Sequence, residues 1–382
     1  GIEQQQILTL LSSIGLIVEV HNESSLTVQV PSFRPDLERE VDLIEEVVRL
    51  YGYDNVPATL PRGAMDSQKT PVKQRLETLC RNTLVAAGFS ELINYSFVSP
   101  QSSRQLNLPE GDPRLQQVQI LNPLNEEQSV MRTSLVPSLL YTVSRNISYR
   151  SHDLRLFELR PVFFPVEGDS GGRQELRLAA VICGRQQPEG WAQSGANVDF
   201  FDLKGVAEEL LMALKIDQVC FDSTQSEPYL HPGKSCVLTL GEVQLGTMGE
   251  VHPQVLTSFD IDEPVFLIDL SVEQLIKASG KHPGFKPLSR YPDVSRDSAL
   301  LLNEDVATQA VLDIASQTKV KNMEDMVLFD LYQGAGIPAG KKSLAVRVRY
   351  RSMEKTLTEE EVSKAHGKLI QTICKQLDAE IR

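Results

Sequence analysis

PSFRPDLEREVDLIEEVVRLYGYDNVP, residues 31–57, runs from a short strand into one strongly patterned acidic helix. Pro35 suits a first helical turn, and Leu37, Val41, Ile44 and Val48 recur at helical spacing, so this stripe is expected to face a core. The opposite face is acidic. Asp36 is followed by Asp42, Glu45 and Glu46, the last three within about one turn, where like charges repel. Arg39 and Arg49 offset part of that repulsion, Arg49 standing four residues after Glu45 in the favourable order for an ion pair. Two readings stay open. One is a solvated helix face, the ordinary fate of a charge run; the other is a site for a hard cation such as magnesium, which takes oxygen ligands and keeps several waters.

Upstream, Ile7, Leu10, Leu11 and Ile14 mark an amphipathic helix stopped at Gly15. GLIVEV and SLTVQV, separated by His21-Asn22-Glu23-Ser24, read as a hairpin leading into the acidic helix. Helix, hairpin and helix over residues 1–58 make a small winged-helix-like module. The helix that would enter a DNA groove is acidic, whereas phosphate binding needs Lys or Arg, so DNA is not an expected partner.

Downstream, PATLPRGAMD (57–66) reads as a linker. Thr70 and Pro71 open a helix lined by Val72, Leu76, Leu79 and Thr83 and stopped by Gly88. Strands are expected at ELINYSF, at LRLFELRPVFF and ELRLAAVICG, and at SCVLTL, VQLGTMGEV and PVFLIDL; helices are expected over 134–146 and 202–214. Antiparallel strands with helices on one face make residues 66–282 an α+β domain. Beyond a Pro- and Gly-rich joint at 283–288 the order becomes β-α-β-β-α with room for a last short strand at 379–382. That is the order of a ferredoxin-like fold over residues 289–382.

The chain of 382 residues is too long for one core. Apolar residues at 41% and charged residues at 23% describe an ordinary soluble protein. No segment approaches a membrane span, and the N-terminal GIEQQQILTLLSS lacks signal-peptide character, so a cytoplasmic location and no membrane partner are expected. Five scattered cysteines without a C-x-x-C pair fit a reducing compartment and speak against structural zinc. Gly1 in place of an initiator Met suggests a cut end, and the chain reads as a fragment.

The net charge of −13 is unevenly spread. From Ser289 onward 14 Lys and Arg meet 14 Asp and Glu, while 24 basic and 37 acidic residues lie upstream. A neutral, locally basic C-terminal segment keeps phosphate binding possible. On the strand KSLAVRVRY, Arg347 and Arg349 alternate with Val346 and Val348 and so share one face, with Lys341, Lys342 and Arg351 nearby. A polar outer sheet face and an RNA-binding face both fit that pattern. The candidate stacking aromatic, Tyr350, falls on the opposite face by alternation.

FRPDLEREVDLIEEVVRLYGYDNVP, PYLHPGKSCVLTLGEVQLGTMGEVHP and SRYPDVSRDSALLL together resemble the beta subunit of bacterial phenylalanyl-tRNA synthetase, in the family's order and over nearly the whole chain. The resemblance implies a class II aminoacyl-tRNA synthetase-like core and a ferredoxin-fold anticodon-binding domain that takes tRNA(Phe). It implies an alpha2-beta2 assembly in which the alpha subunit binds phenylalanine and ATP, and magnesium held with the alpha subunit by the acidic helix, at positions matching Asp36, Asp42, Glu45 and Glu46. The family's longer chains carry an oligonucleotide-binding-fold module and an editing domain that these residues lack, so no editing is expected.

Active class II enzymes hold ATP with arginines on their second and third motifs. LRLFELRPVFF stands at the second-motif position without the Arg-x-Glu, and no glycine-rich segment ends in a third-motif arginine. The core is therefore expected to be catalytically empty. Tyr229, His231, Pro232 and Gly233 read as a turn, and the partners that a nucleophile would need are not visible. Gly336-Ile-Pro-Ala-Gly340-Lys-Lys is one residue short of a phosphate-binding loop, and no H-E-x-x-H occurs. Two function classes remain: a non-catalytic subunit of a tRNA ligase, and a free-standing RNA-binding or regulatory protein built from the same modules.

Overall fold

The computed structural model describes residues 1–22, 25–60, 70–192, 195–224, 226–280 and 287–382, with strand residues 169–171 described for their backbone only. The chain divides into two compact units, Gly1–Gln74 and Arg75–Arg382. Parts of the expected hairpin turn, of the linker at 57–66 and of the joint at 283–288 lie outside the described residues.

In the first unit, helix α1 (Gln4–Ser13) precedes the antiparallel strands β1 (Ile17–Asn22) and β2 (Ser25–Gln29), and then helix α2 (Glu40–Tyr51). Pro35 lies in a turn ahead of α2 instead of inside it. Asp42 explains the later start: its carboxylate accepts hydrogen bonds from the backbone N–H groups of Arg39 at 2.7 Å and Glu38 at 3.0 Å, satisfying donors at the helix entry. The buried stripe also differs from the expected one. Leu37 and Val47 join Leu11 and Leu16 in a thin core, whereas Val41 and Ile44, expected inside, are more than half exposed.

The second unit opens with helix α3 (Val72–Ala86), which buries Leu76, Cys80 and Leu84 at four-residue spacing; Val72 and Leu79 of the expected face stay exposed. ELINYSF is not one strand. Ser90–Glu91 (β3) joins the large sheet and Phe97–Val98 (β4) pairs with Val130–Met131 (β5) in a separate ribbon. After helix α4 (Val136–Ser148) come the long strands β6 (Leu154–Val166) and β7 (Asp169–Cys183), helix α5 (Phe200–Ala213), β8 (Cys220–Asp222), β9 (Leu230–Leu240) and β10 (Val243–Val251). Helix α6 (Pro253–Ser258), strand β11 (Val265–Ser271) and helix α7 (Val272–Ala278) complete the series.

The seven-stranded sheet has the order β3-β6-β7-β11-β10-β9-β8, antiparallel except for β3 against β6. Helices cover both faces, not one. Phe157, Leu159, Leu178, Ala180, Ile182 and Ile268 face α3, α5 and α7, while Leu156, Ala179, Val181 and Leu267 face α4 and α6. A sheet buried on both sides reads as continuous apolar runs, which LAAVIC and PVFLIDL are.

The C-terminal segment builds β12 (Val294–Asn303), helix α8 (Thr308–Gln317), β13 (Met323–Tyr332), β14 (Lys341–Tyr350), helix α9 (Glu359–Leu377) and β15 (Glu380–Ile381). Its sheet is antiparallel in the order β13-β14-β12-β15, the arrangement of a ferredoxin-like fold. Leu344, Val346, Val348 and Tyr350 pack inward on Val311 of α8 and Leu369 and Ile373 of α9.

Candidate functional site

The four acidic positions of the first unit do not converge. Arg34, which the sequence reading did not single out, lies between two of them, 2.7 Å from Asp36 and 3.0 Å from Glu46. Arg49 pairs with Glu46 at 2.6 Å and not with Glu45. The Arg34 guanidinium holds the Asp36 carboxyl below the usual range, Arg49 and then Arg34 do the same for Glu46, and backbone N–H groups do it for Asp42. Glu45 is exposed and has no partner among the described residues. Among those residues no three His, Cys, Asp or Glu side chains come close enough to hold a metal ion. This donor set does not fit a magnesium site within the chain, because arginine and backbone N–H groups already take the oxygen atoms that a cation would need.

In the C-terminal sheet all five expected cations are engaged. Arg347 forms a two-pronged pair with Asp297, both contacts at 2.7 Å, across the β12–β14 register, and Arg349 pairs with Asp325 of β13. Each aspartate is held below its ordinary pKa by its arginine. Arg351 reaches Asp293 at 3.2 Å and lies 3.2 Å from Glu324 without hydrogen-bond alignment at Nε. Lys341 pairs with Glu380 at 3.1 Å, and Lys342 donates to the Glu304 carbonyl at 2.7 Å. The outer face is therefore positive by residue type and nearly neutral in balance.

Tyr350 is fully buried, as alternation predicts, and its hydroxyl meets His366 Nδ1 at 3.1 Å. An exposed aromatic beside these arginines is Phe329 of β13, with the Arg347 guanidinium 5.0 Å from its ring centroid. Alternation alone could not have placed it there, because the β13–β14 register shifts between Leu328 and Asp330, so that Val327 lies opposite Arg347 but Leu331 opposite the buried Leu344.

On the core sheet, the apolar face that packs on α4 gives way to charge. Glu158 of β6 is fully buried and meets Arg132 at 2.6 Å, while Asn94 donates to its second oxygen at 2.9 Å. Next to it, Arg177 pairs with Asp269 at 2.9 Å, and Arg114 spans Asp112 at 2.7 Å and Glu227 at 2.8 Å. The Tyr229 hydroxyl lies 3.3 Å from Thr247, and burial pushes its pKa up. His231 and Gly233 belong to the start of β9, not to a turn, and the Gly233 N–H donates to His231 Nδ1 at 3.1 Å. These groups pair with one another, except that Nη2 of the buried Arg132 has no hydrogen-bond partner. A strand that would have to offer charge to a nucleotide spends it inside the chain.

Comparison with known proteins accounts for this layout. The tRNA synthetase B5 domain matches residues 1–53, the phenylalanyl tRNA synthetase beta chain CLM domain residues 56–272, and the ferredoxin-fold anticodon binding domain residues 289–382. A phenylalanine–tRNA ligase beta subunit from Syntrophotalea carbinolica is 53% identical over 97% of this chain and 47% of its own length. One from Geobacter sulfurreducens is 44% identical over 94% of this chain and 45% of its own. The chain thus spans about half the length of the curated relatives it matches. With the beta-chain core domain alone covering more than half of its residues, flanked in order by the other two domains, the chain belongs to the phenylalanyl-tRNA synthetase beta chain family.

Proposed function

We propose that this chain is the non-catalytic part of a phenylalanine–tRNA ligase that supports an alpha subunit and binds tRNA(Phe) through its C-terminal domain. In this reading the alpha subunit holds ATP and phenylalanine, and the two chains form an alpha2-beta2 assembly. The observation that carries it is the charged region of the core sheet, where the guanidinium groups of Arg132, Arg177 and Arg114 pair with Glu158, with Asp269, and with Asp112 and Glu227 of the same chain. A partner is supported by a second feature. Ile93, Tyr95, Leu121 and Leu124 are each exposed by 74% or more on segments joined through the β4–β5 ribbon, and exposed apolar groups of this size mark interaction sites when they lie together.

For tRNA, the outer sheet face offers Phe329 to stack on a base, with Arg347 and Arg349 beside it. Magnesium shared with the alpha subunit through Asp36, Asp42, Glu45 and Glu46 has less support, because only Glu45 lacks a partner among the described residues. Phenylalanine-dependent exchange of pyrophosphate into ATP tests the reading: the purified chain alone should give none, and exchange by the chain alone would contradict it.

A further inference from the structure

The C-terminal domain has a second positively charged surface, away from the expected one. An open groove of about 1230 Å³ runs between α9, the turn entering β13 and the segment leaving β14. Six of its lining residues are Lys or Arg and two are Glu. Glu361 is taken up by Lys355, and Arg351 is already engaged. Lys319, Lys321, Lys364 and Lys368 are exposed and have no ion-pair partner among the described residues. Lys364 and Lys368 stand one helical turn apart on α9 and so share a face, with Gly367 leaving the helix surface low beside them. Lys319 and Lys321 line the opposing wall.

Lys319 stands at a helix end. It follows the last turn of α8 with φ +45°, in the left-handed region where glycine or asparagine is the usual residue and a lysine costs of order 1 kcal/mol. Arg150 and Lys215 take the same left-handed conformation after α4 and α5, so this backbone is a helix-end feature, and what distinguishes Lys319 is its exposed charge in the groove.

We infer that this groove binds the phosphate backbone of RNA, and that it, more than the sheet face, supplies the electrostatic part of tRNA binding. Phosphate contacts release counterions only where cations are uncompensated. On the sheet face, Arg347 and Arg349 would have to give up Asp297 and Asp325, and those carboxylates would then face the incoming phosphates. In the groove four lysines need no such exchange. The inference rests on the reading that the C-terminal domain binds tRNA.

The test is the affinity of the full chain for a tRNA(Phe) transcript across a salt series. The triple variant Lys321→Ala, Lys364→Ala, Lys368→Ala should flatten the dependence of log K on log salt by roughly two to three units, each lost phosphate contact removing roughly 0.7 to 0.9. The double variant Arg347→Ala, Arg349→Ala should change the slope by less. Lys319→Gly should lose about one contact while its thermal midpoint stays level or rises, because glycine relieves the left-handed backbone. A slope unchanged in the triple variant overturns the groove, and a slope lost mainly in the arginine variant leaves tRNA binding standing while moving it to the sheet. Loss of alpha-subunit capture with tRNA affinity intact would make the groove a protein site and overturn the inference. No binding by the unaltered chain would remove the reading beneath it.

Discussion

Arg34 occupies the position, between Asp36 and Glu46, that a metal ion would otherwise have to fill. Replacing it by Gln leaves two carboxylates facing each other and should lower the thermal midpoint, with magnesium restoring part of the loss in the variant but leaving the unaltered chain unmoved. Equal stabilisation of both by magnesium would mean that a cation site already exists. At the other end of the chain, burial first and Arg296 second hold His366 below its ordinary 6.5, between the Ser298 hydroxyl at 2.8 Å and the Tyr350 hydroxyl at 3.1 Å. A folded pKa below the unfolded one means that its contribution is fully present above pH 6.5 and is lost as pH falls through the folded value. The midpoint of the unaltered chain should therefore fall more steeply than that of His366→Gln between about pH 7.5 and pH 5. Parallel curves would refute the coupling. Alternation placed Arg347, Arg349 and Tyr350 on their correct faces from sequence alone. Asp297 and Asp325 could not be read there, because they lie 50 and 24 residues away and meet the arginines only through sheet register.

At the level of elements, strand β10 shows why LGTMGEV is written with two glycines. A Cβ on Gly246 would collide with the Asp269 carbonyl of β11, and one on Gly249 with Ser235 of β9, each beside a register shift in the β9–β10 ladder. Both clashes are with backbone or with a side chain fixed at its base, so neither can be relieved by a rotamer change. Gly246→Ala should cost at least about 1–3 kcal/mol, the range for overpacking a filled core, in denaturant unfolding. An unfolding midpoint within error of the original would show that the strands can separate more easily than their packing indicates. Most strands were legible because a sheet covered on both faces writes uninterrupted apolar runs. ELINYSF was not, since β3 and β4 belong to different sheets and local patterning holds no information about the partner strand. The acidic helix was legible, but neither its start nor its buried stripe was. The Asp42 carboxylate caps a start at Glu40, and it is Val47, not Val41 or Ile44, that packs into the core.

Both units of the molecule carry exposed large apolar side chains. Ile93, Tyr95, Leu121 and Leu124 stand out on the core domain, and Val41 and Ile44 on the thin-cored first unit. The internal pairs that take up the charge of the core sheet, Arg177 with Asp269 and Arg114 with Glu227, join residues 92 and 113 apart in the chain and needed the fold. The central claim is that this chain acts only together with a catalytic alpha subunit. It is tested most directly by mixing the chain with purified alpha subunit, separating by size and assaying each peak for phenylalanine-dependent pyrophosphate exchange. Co-elution of the two chains is expected, with no exchange in the peak of this chain alone. Leu121→Asp with Leu124→Asp should weaken the association by roughly tenfold or more, as burying charge at an apolar contact costs more than about 1.4 kcal/mol. Separate elution of the unaltered chains, or exchange by this chain alone, would contradict the account.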